Sequence, residues 1–192
     1  MPEPHHVARI VFQHIEDGDR RKFAAASNDA DTGGGARDLR FRPANRFMPV
    51  FGQMFPGREA RVRKRGDAQP ASLTLLSGTI LTPQAALPDE RSPRPIKIWP
   101  ETDARPGECR ISRVNRYGFS ALLPPAQGEG KVVLMLIQTY DGQVTVWFTT
   151  EHLIRTNPNW DVQVRDFAVR WLDTDSKCAF LDLERAEEFM ND

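Results

Sequence analysis

Cysteine and histidine are scarce in this chain, and their scarcity excludes several classes of protein. The 192 residues include two cysteines, Cys109 and Cys178, and four histidines. Two cysteines so far apart in the sequence form neither a disulfide framework nor a zinc site, so we expect buried, reduced thiols. No histidine has a partner at the spacing of a metal site or a catalytic triad. The sequence therefore predicts no metal, no cofactor and no catalytic residue.

Long apolar runs are also missing. No segment reaches the roughly 18 consecutive apolar residues that a membrane-spanning helix needs. The opening letters MPEPHH lack the basic start and apolar stretch of a signal peptide. We therefore expect a cytoplasmic protein with no membrane partner. With 40% hydrophobic residues the chain has enough apolar side chains for a single domain over residues 1–192.

Net charge is absent as well, because 26 lysines and arginines balance 26 acidic residues. A neutral chain is unlike a non-specific polyanion binder of the histone type, whereas a sequence-specific DNA reader needs only local positive charge. Here the charge is local. Basic residues cluster at 37–42, 58–65 and 105–116, and acidic residues concentrate over 173–192.

Residues 25–43, AASNDADTGGGARDLRFRP, combine a glycine-rich loop with three arginines. Gly33 to Gly35 allow positive φ and a close approach of the backbone to another surface. The residues after them alternate as a strand would present them. The segment predicts a loop that leads into a strand carrying Arg37, Arg40 and Arg42. An ordinary glycine-rich surface turn before an edge strand is the alternative.

A second alternating segment, ECRISRVNRYGFS at 108–120, carries Arg110, Arg113, Asn115 and Arg116. Arginine offers a two-pronged donor to guanine or phosphate, and asparagine pairs with adenine. The alternation predicts that Arg110 and its neighbours lie on an exposed edge, so these side chains are candidates for DNA contacts. A solvated strand face also carries arginines, and that interpretation stays open.

Hydrophobic spacing predicts helices at both ends of the chain and strands in the middle. Tyr140-Asp141-Gly142 favours a hairpin turn. The predicted helices are an amphipathic first helix over 7–18 and further helices at 44–54, 149–156, 161–171 and 182–190. The predicted strands are 59–64, 72–81, 95–99, 108–114, 131–138 and 143–148. This order favours a barrel-like α+β domain over a doubly wound parallel sheet.

The blocks SNDADTGGGARDLRFRP, FGQMFPG, ECRISRVNRYG, KVVLMLIQ and VTVWF together resemble the N-terminal effector-binding domain of EcoRII-type restriction endonucleases. That domain is a DNA-binding pseudobarrel related to plant B-three domains. The resemblance covers about 7–153 and implies an α+β pseudobarrel of about six to eight mostly antiparallel strands with flanking helices. Residues 154–192 are then a helical C-terminal extension.

The resemblance implies that two arms grip double-stranded DNA from either side of the major groove. Residues 28–37 correspond to the N-terminal arm and residues 105–116 to the C-terminal arm. Ala36, Ala104 and Pro106 stand where the family has a histidine and basic residues, so the recognition sequence does not transfer. The implied DNA-binding residues are Asn28, Thr32, Gly34, Arg37, Arg40, Phe41, Arg105, Glu108, Arg110, Arg113, Asn115 and Arg116.

The predicted function is a sequence-specific, non-catalytic DNA-binding module of a restriction or other anti-phage system. Its nuclease is expected on a partner subunit or a further domain. One alternative is a metal-dependent nuclease subunit that uses Asp89, Glu129 and Lys131. Another is a protein-interaction module whose basic arms bind an acidic partner. The tryptophans are interpreted as core or interface aromatics, with a pocket for a flipped base as the alternative: Trp99, Trp147, Trp160 and Trp171.

Overall fold

A computed structural model describes residues 7–24, 37–63, 71–85, 88–125 and 130–190. Over these ranges the chain forms ten strands and four α-helices, and the strands make two antiparallel sheets of five strands each. The α+β class expected from the sequence is confirmed. Among the described residues, no helix has both the length and the apolar composition that crossing a bilayer requires.

The first sheet consists of β1 (Val7–Ile15), β7 (Val132–Thr139), β8 (Val144–Thr150), β9 (Cys178–Asp182) and β10 (Glu187–Met190). Its strand order is β10-β9-β1-β7-β8. The central strand β1 runs antiparallel to both β7 and β9. The predicted hairpin between β7 and β8 is confirmed, and Gly142 adopts a φ of 85° in its turn.

Two helix predictions in this sheet are wrong. Residues 7–15 form β1, where all but one residue are buried, including Arg9 and Gln13. A strand covered on both faces is apolar almost throughout, so helical and strand spacing are hard to tell apart. The predicted helix at 182–190 is instead the end of β9, a turn and β10. Phe189 on β10 stacks on Phe180 of β9 at 5.8 Å between ring centroids, so tertiary packing overrides the local preference. The C-terminal extension is therefore not purely helical.

The second sheet consists of β2 (Leu39–Phe41), β3 (Gly57–Arg63), β4 (Ala71–Ile80), β5 (Arg94–Trp99) and β6 (Cys109–Ile111). Its strand order is β2-β6-β5-β4-β3. All five were predicted in outline. Strand β6 is shorter than expected because Arg113 takes a left-handed backbone conformation, with φ 58°, and a 3-10 turn follows at Val114–Tyr117.

The α-helices are α1 (Asp17–Ala24), α2 (Ala44–Met54), α3 (Glu151–Thr156) and α4 (Val162–Leu172). The predictions of α2, α3 and α4 are confirmed, whereas α1 was not predicted. The side chains of Thr150 and Asp161 cap α3 and α4 by accepting backbone N–H groups. These caps explain why both helices begin where they do.

The main core lies between the two sheets, where α2 inserts a row of phenylalanines. Phe47 and Phe51 of α2 contact Phe41 of β2, with ring centroids 5.6 and 5.0 Å apart. Phe47 also meets Phe180 of β9. Helix α4 covers the opposite face of the first sheet, where Phe167 and Trp171 pack on Phe12. Strands β1, β7 and β9 of the first sheet are therefore buried on both faces.

The sheets are joined at one corner. Leu81, just after β4, donates its backbone N–H to Val144 and accepts from Val146, each at 2.8 Å. The Gln84 side chain extends this junction, because it donates to the carbonyl oxygen of Phe148 at 2.8 Å and accepts the Phe148 N–H at 2.6 Å. An amide side chain thus completes the hydrogen bonding of β8 where no strand continues.

Candidate nucleic-acid interface

The two predicted arm segments meet at one edge of the second sheet. In the pairing of β2 with β6, Arg40 lies directly opposite Arg110 and Leu39 opposite Ile111. The predicted alternation in β2 is confirmed, since Leu39 and Phe41 are buried and Arg40 is exposed. Residues distant in sequence therefore form one arginine-rich strip.

Glu108 is a buried carboxylate that holds three of these arginines. Its side chain is 1% exposed. Arg42 donates to its Oε2 at 2.8 Å, Arg105 to its Oε1 at 3.4 Å, and Arg40 forms an ion pair at 3.7 Å. Burial by itself would raise the pKa of Glu108, but the surrounding arginines outweigh it and lower that pKa. Glu108 is therefore ionised at neutral pH and fixes the arginines around it.

Asp38 makes a second buried anchor beside it. Its carboxylate lies 3.1 Å from Nε of Arg110 and 3.5 Å from Nη1 of Arg105, and it accepts the backbone N–H of Arg113 at 3.4 Å. Burial raises the pKa of Asp38, with Arg110 opposing the increase. One side chain next to β2 thus contacts three residues of the predicted C-terminal arm.

Three predicted DNA-binding side chains lie beneath the surface. The expectation of an exposed Arg110 is wrong, since Arg110 is 6% exposed. Its guanidinium lies over the ring of Trp99 at 5.3 Å. Glu108 and Phe41 are also buried. Because they are buried, these three side chains fix the strands, and Glu108 also holds exposed neighbours, Arg40 and Arg42, from below.

Exposed arginines surround these anchors. Arg40 and Arg42 remain 43% and 67% exposed while pairing with Glu108, and Arg105 is half-buried. We call Arg40, Arg42 and Arg105 the arginine edge. A concavity of about 330 Å³ connects it to Lys22 of α1 and to Lys177. Both of those lysines pair with the buried Asp19.

A larger concavity of about 690 Å³ lies next to the edge, on the outer face of the second sheet. We call it the outer groove. It has five cationic side chains around two aromatic rings, and no carboxylate among the described residues that line it. Glu59 nearby pairs with two of the cations, Arg61 and Lys97. The lining residues are Arg61, Arg94, Pro95, Lys97, Trp99, Ser112, Arg113, Arg116 and Tyr117.

The other predicted site residues divide into three groups. Arg113 and Arg116 are exposed, and Arg37, Arg105 and Asn115 are half-buried. Asn28, Thr32 and Gly34 lie outside the described residues. Three residues of the groove were not predicted as site residues, namely Arg61 of β3 and Arg94 and Lys97 of β5. The signal in β5 was alternation, since Ile96 and Ile98 are buried whereas Pro95, Lys97 and Trp99 alternate with them and line the groove.

The described residues do not assemble a metal centre. No group of three or more histidine, cysteine or acidic side chains among them is suited to hold a metal ion. Lys131, proposed for the nuclease alternative, instead donates to the carbonyl oxygens of Leu172 and Thr174 at 2.7 and 3.1 Å. Asp89 is exposed on a 3-10 helix, Pro88–Arg91, and Glu129 lies outside the described residues.

The two cysteines are buried and do not form a disulfide with each other, as predicted. Burial raises the pKa of Cys109 to about 12 and that of Cys178 to about 11. Both thiols are therefore protonated at neutral pH and are poor nucleophiles.

Comparison with known proteins adds no assignment. No protein-family model matches the chain, and no curated protein matches it either. The similarity to the EcoRII-type domain stays a prediction, based on the sequence blocks quoted above. The geometry of the arginine edge and the outer groove is therefore the basis for a functional proposal.

Proposed function

We propose that this protein is a sequence-specific double-stranded DNA-binding module. DNA lies along the arginine edge and the outer groove, with the segments 28–37 and 105–116 on either side of the major groove. The observation that carries the proposal is the anchoring of exposed arginines by two buried carboxylates. Arg40, Arg42 and Arg105 are each held by Glu108, yet keep exposed surface.

Such anchoring suits recognition because it orients guanidinium groups before a ligand arrives. Arginine donates through a planar fork that matches a phosphate or the edge of guanine. A fixed fork loses less conformational entropy on binding than a mobile one. A surface that only needed solvation would gain nothing from two buried carboxylates, whose desolvation is unfavourable.

The fold supports the same proposal. Two antiparallel sheets share one core and are joined at the corner where Leu81 bridges to β8, which is compatible with the pseudobarrel that the sequence resemblance implies. We therefore propose the pseudobarrel fold together with the DNA-binding function. The setting, a restriction or other anti-phage system with the nuclease on a partner, is supported by the resemblance alone.

The experiment is duplex selection on the purified chain, followed by fluorescence anisotropy with the selected duplex at increasing salt. Binding through several phosphates makes log K fall linearly with log salt, with a slope of about −0.9 per phosphate contacted. We expect a steep slope and discrimination between the selected and a scrambled duplex at fixed salt. A shallow slope, or equal affinity for all duplexes, would contradict sequence-specific DNA binding.

A further inference from the structure

We propose that the outer groove binds a single nucleotide, with the base against Trp99 and Tyr117 and the phosphate among Arg94, Arg113 and Arg116. If the protein binds DNA as proposed, the bound nucleotide is one that has turned out of the duplex. The inference rests on the proposed function for this source of the nucleotide. A free nucleotide has the same chemistry. The experiment below distinguishes the two sources.

The aromatic side chains of the groove are held in place from below. Arg110 covers Trp99 at 5.3 Å, and Asp38 holds Arg110 at 3.1 Å. The Tyr117 ring packs on the fully buried Phe119, with centroids 5.3 Å apart and planes inclined by 30°. Trp99 and Tyr117 are both half-buried, so part of each side chain stays accessible. Two rigid, partly exposed rings in a concavity form a stacking surface for a base.

The charges of the groove are only partly compensated. Glu59 pairs with Arg61 and Lys97. Within the described ranges, no carboxylate forms an ion pair with the side chains of Arg94, Arg113 or Arg116. These three guanidinium groups flank the aromatic rings and favour an anion, and arginine matches the geometry of phosphate.

The turn after β6 places Arg113 in the groove through an energetically unfavourable backbone conformation. Arg113 has a left-handed conformation that is uncommon for a residue with a side chain, and its N–H is held by Asp38. Gly118 follows with φ 71°, and a Cβ there would lie 3.3 Å from Nη1 of Arg94. The turn therefore packs closely against Arg94 while Arg113 lines the groove.

The shape of the groove selects between ligands. Its volume of about 690 Å³ lies within the range of small-ligand sites. Bases inside a duplex are stacked on both faces, so aromatic side chains reach a base face only when the nucleotide leaves the stack. Aromatic rings combined with arginines therefore fit one unstacked nucleotide better than the side of an intact duplex.

The test compares Trp99→Leu with Trp99→Phe, and Tyr117→Leu with Tyr117→Phe. The matched control is Trp147→Leu, which changes a half-buried tryptophan on the first sheet. Binding is measured to the selected duplex, to the same duplex with a mismatch at each position in turn, and to the four deoxynucleoside 5′-monophosphates, with inorganic phosphate as the control ligand. Thermal unfolding of each variant shows whether it is folded.

If the nucleotide comes from DNA, a mismatch at one position tightens binding, because unpairing it is easier. The leucine variants then lose about 5- to 150-fold in affinity and lose the mismatch preference, whereas the phenylalanine variants keep both. A second outcome is that free monophosphates bind and quench tryptophan fluorescence, that Trp99→Leu abolishes this binding, and that no duplex binds. The groove proposal then holds, and the proposed DNA binding is wrong. If a duplex binds and neither leucine variant changes duplex, mismatch or monophosphate binding, the groove proposal is wrong and DNA binding stands.

Discussion

Single side chains decide how the arginines of this protein are displayed. Of the two buried carboxylates, Asp38 contacts Arg105 and Arg110. Glu108 contacts Arg42 and Arg105. A phosphate group that approaches Arg42 has to share it with Glu108. The carboxylates therefore orient the arginines and also weaken non-specific attraction, because they neutralise part of the charge.

Glu108→Gln should lower the free energy of unfolding by about 1–3 kcal/mol at pH 7, because a buried acceptor of several charged donors is weakened. The pKa of Glu108 is lowered in the folded state, so its contribution is present above the unfolded pKa and is lost as the pH falls through the lower folded value. Urea unfolding from pH 7 to pH 3 should show the difference between the two proteins shrinking below about pH 4.5. The exposed pair Glu188–Arg170 gives a control, and Glu188→Gln should change stability by less than about 1 kcal/mol. A difference that stays constant with pH would contradict an ionised, paired Glu108.

Arg113→Gly should weaken DNA binding with little change in stability. Glycine adopts φ 58° without strain, and this relief offsets the greater flexibility of glycine in the unfolded chain. We expect the free energy of unfolding to change by no more than about 1 kcal/mol, and the affinity for the selected duplex to fall. Arg113→Lys, which keeps the charge, is the matched control. Unchanged DNA affinity in Arg113→Gly would remove this side chain from the interface.

At the scale of elements, the proposed DNA interface lies where short segments end. The strands β2 and β6 have three residues each, and the 3-10 turn that follows β6 has four. Short elements carry few backbone hydrogen bonds of their own, so side-chain contacts from Asp38 and Glu108 stabilise their positions. The longer strands β1, β4 and β7 lie inside the two sheets and support the core.

Arg116→Ala in the 3-10 turn Val114–Tyr117 should reduce the salt dependence of DNA binding. The side chain is exposed, and no described carboxylate pairs with it. Removing one phosphate interaction there lowers the steepness of log K against log salt by about 1 unit, equally for all sequences. Arg165→Ala on α4, on the far face of the first sheet, should leave the slope unchanged. A loss of affinity confined to one base position would instead indicate base reading by Arg116.

Gln84→Ala should weaken the corner that joins the two sheets. The variant leaves the Phe148 N–H and carbonyl without the partner that Gln84 supplies, which we expect to lower the free energy of unfolding by about 1–3 kcal/mol. Hydrogen exchange of the Phe148 amide should accelerate more than that of other β8 amides. Gln163→Ala on the exposed surface of α4 is the control. Unchanged exchange at Phe148 would mean that the corner is held by the Leu81 bridge alone.

For the whole molecule, the separation of charge is the observation behind our proposal that the chain binds DNA and leaves cleavage to a partner. Arginines gather on the second sheet and its edge, where the acidic side chains include the buried anchors Asp38 and Glu108 and the ion-pair partner Glu59. A divalent-metal nuclease needs carboxylates converging on one ion and a positioned water. Lys131 is engaged by backbone carbonyl groups at the end of α4, which is a structural role.

Plasmid and selected duplex should therefore remain intact when incubated with the chain in Mg²⁺ or Mn²⁺, at concentrations that saturate binding. The products are examined by gel electrophoresis over a time course. Cleavage that co-purifies with the protein and disappears in Asp89→Ala or Glu129→Ala would support the nuclease alternative and contradict the binding-module proposal.

The sequence by itself determined the elements that depend on neighbouring residues. Helix α2 was predicted with its observed bounds because its apolar residues recur at helical spacing and Pro56-Gly57 follows it. The hairpin at Tyr140-Asp141-Gly142 depends on turn residues that act locally. The sequence also indicated the alternation of β2, so Arg40 was correctly expected to face outward.

Only the tertiary structure decided what depends on contacts between distant segments. Residues 7–15 are a strand because α4 and the main core cover its two faces, a fact that spacing within the segment does not reveal. Arg110 is buried because Asp38 and Trp99 meet it there. The outer groove is assembled from β3, β5 and the turn after β6, and strand register brings them together. A pattern along one chain does not encode which arginine meets a buried carboxylate, since pairing between strands sets those distances.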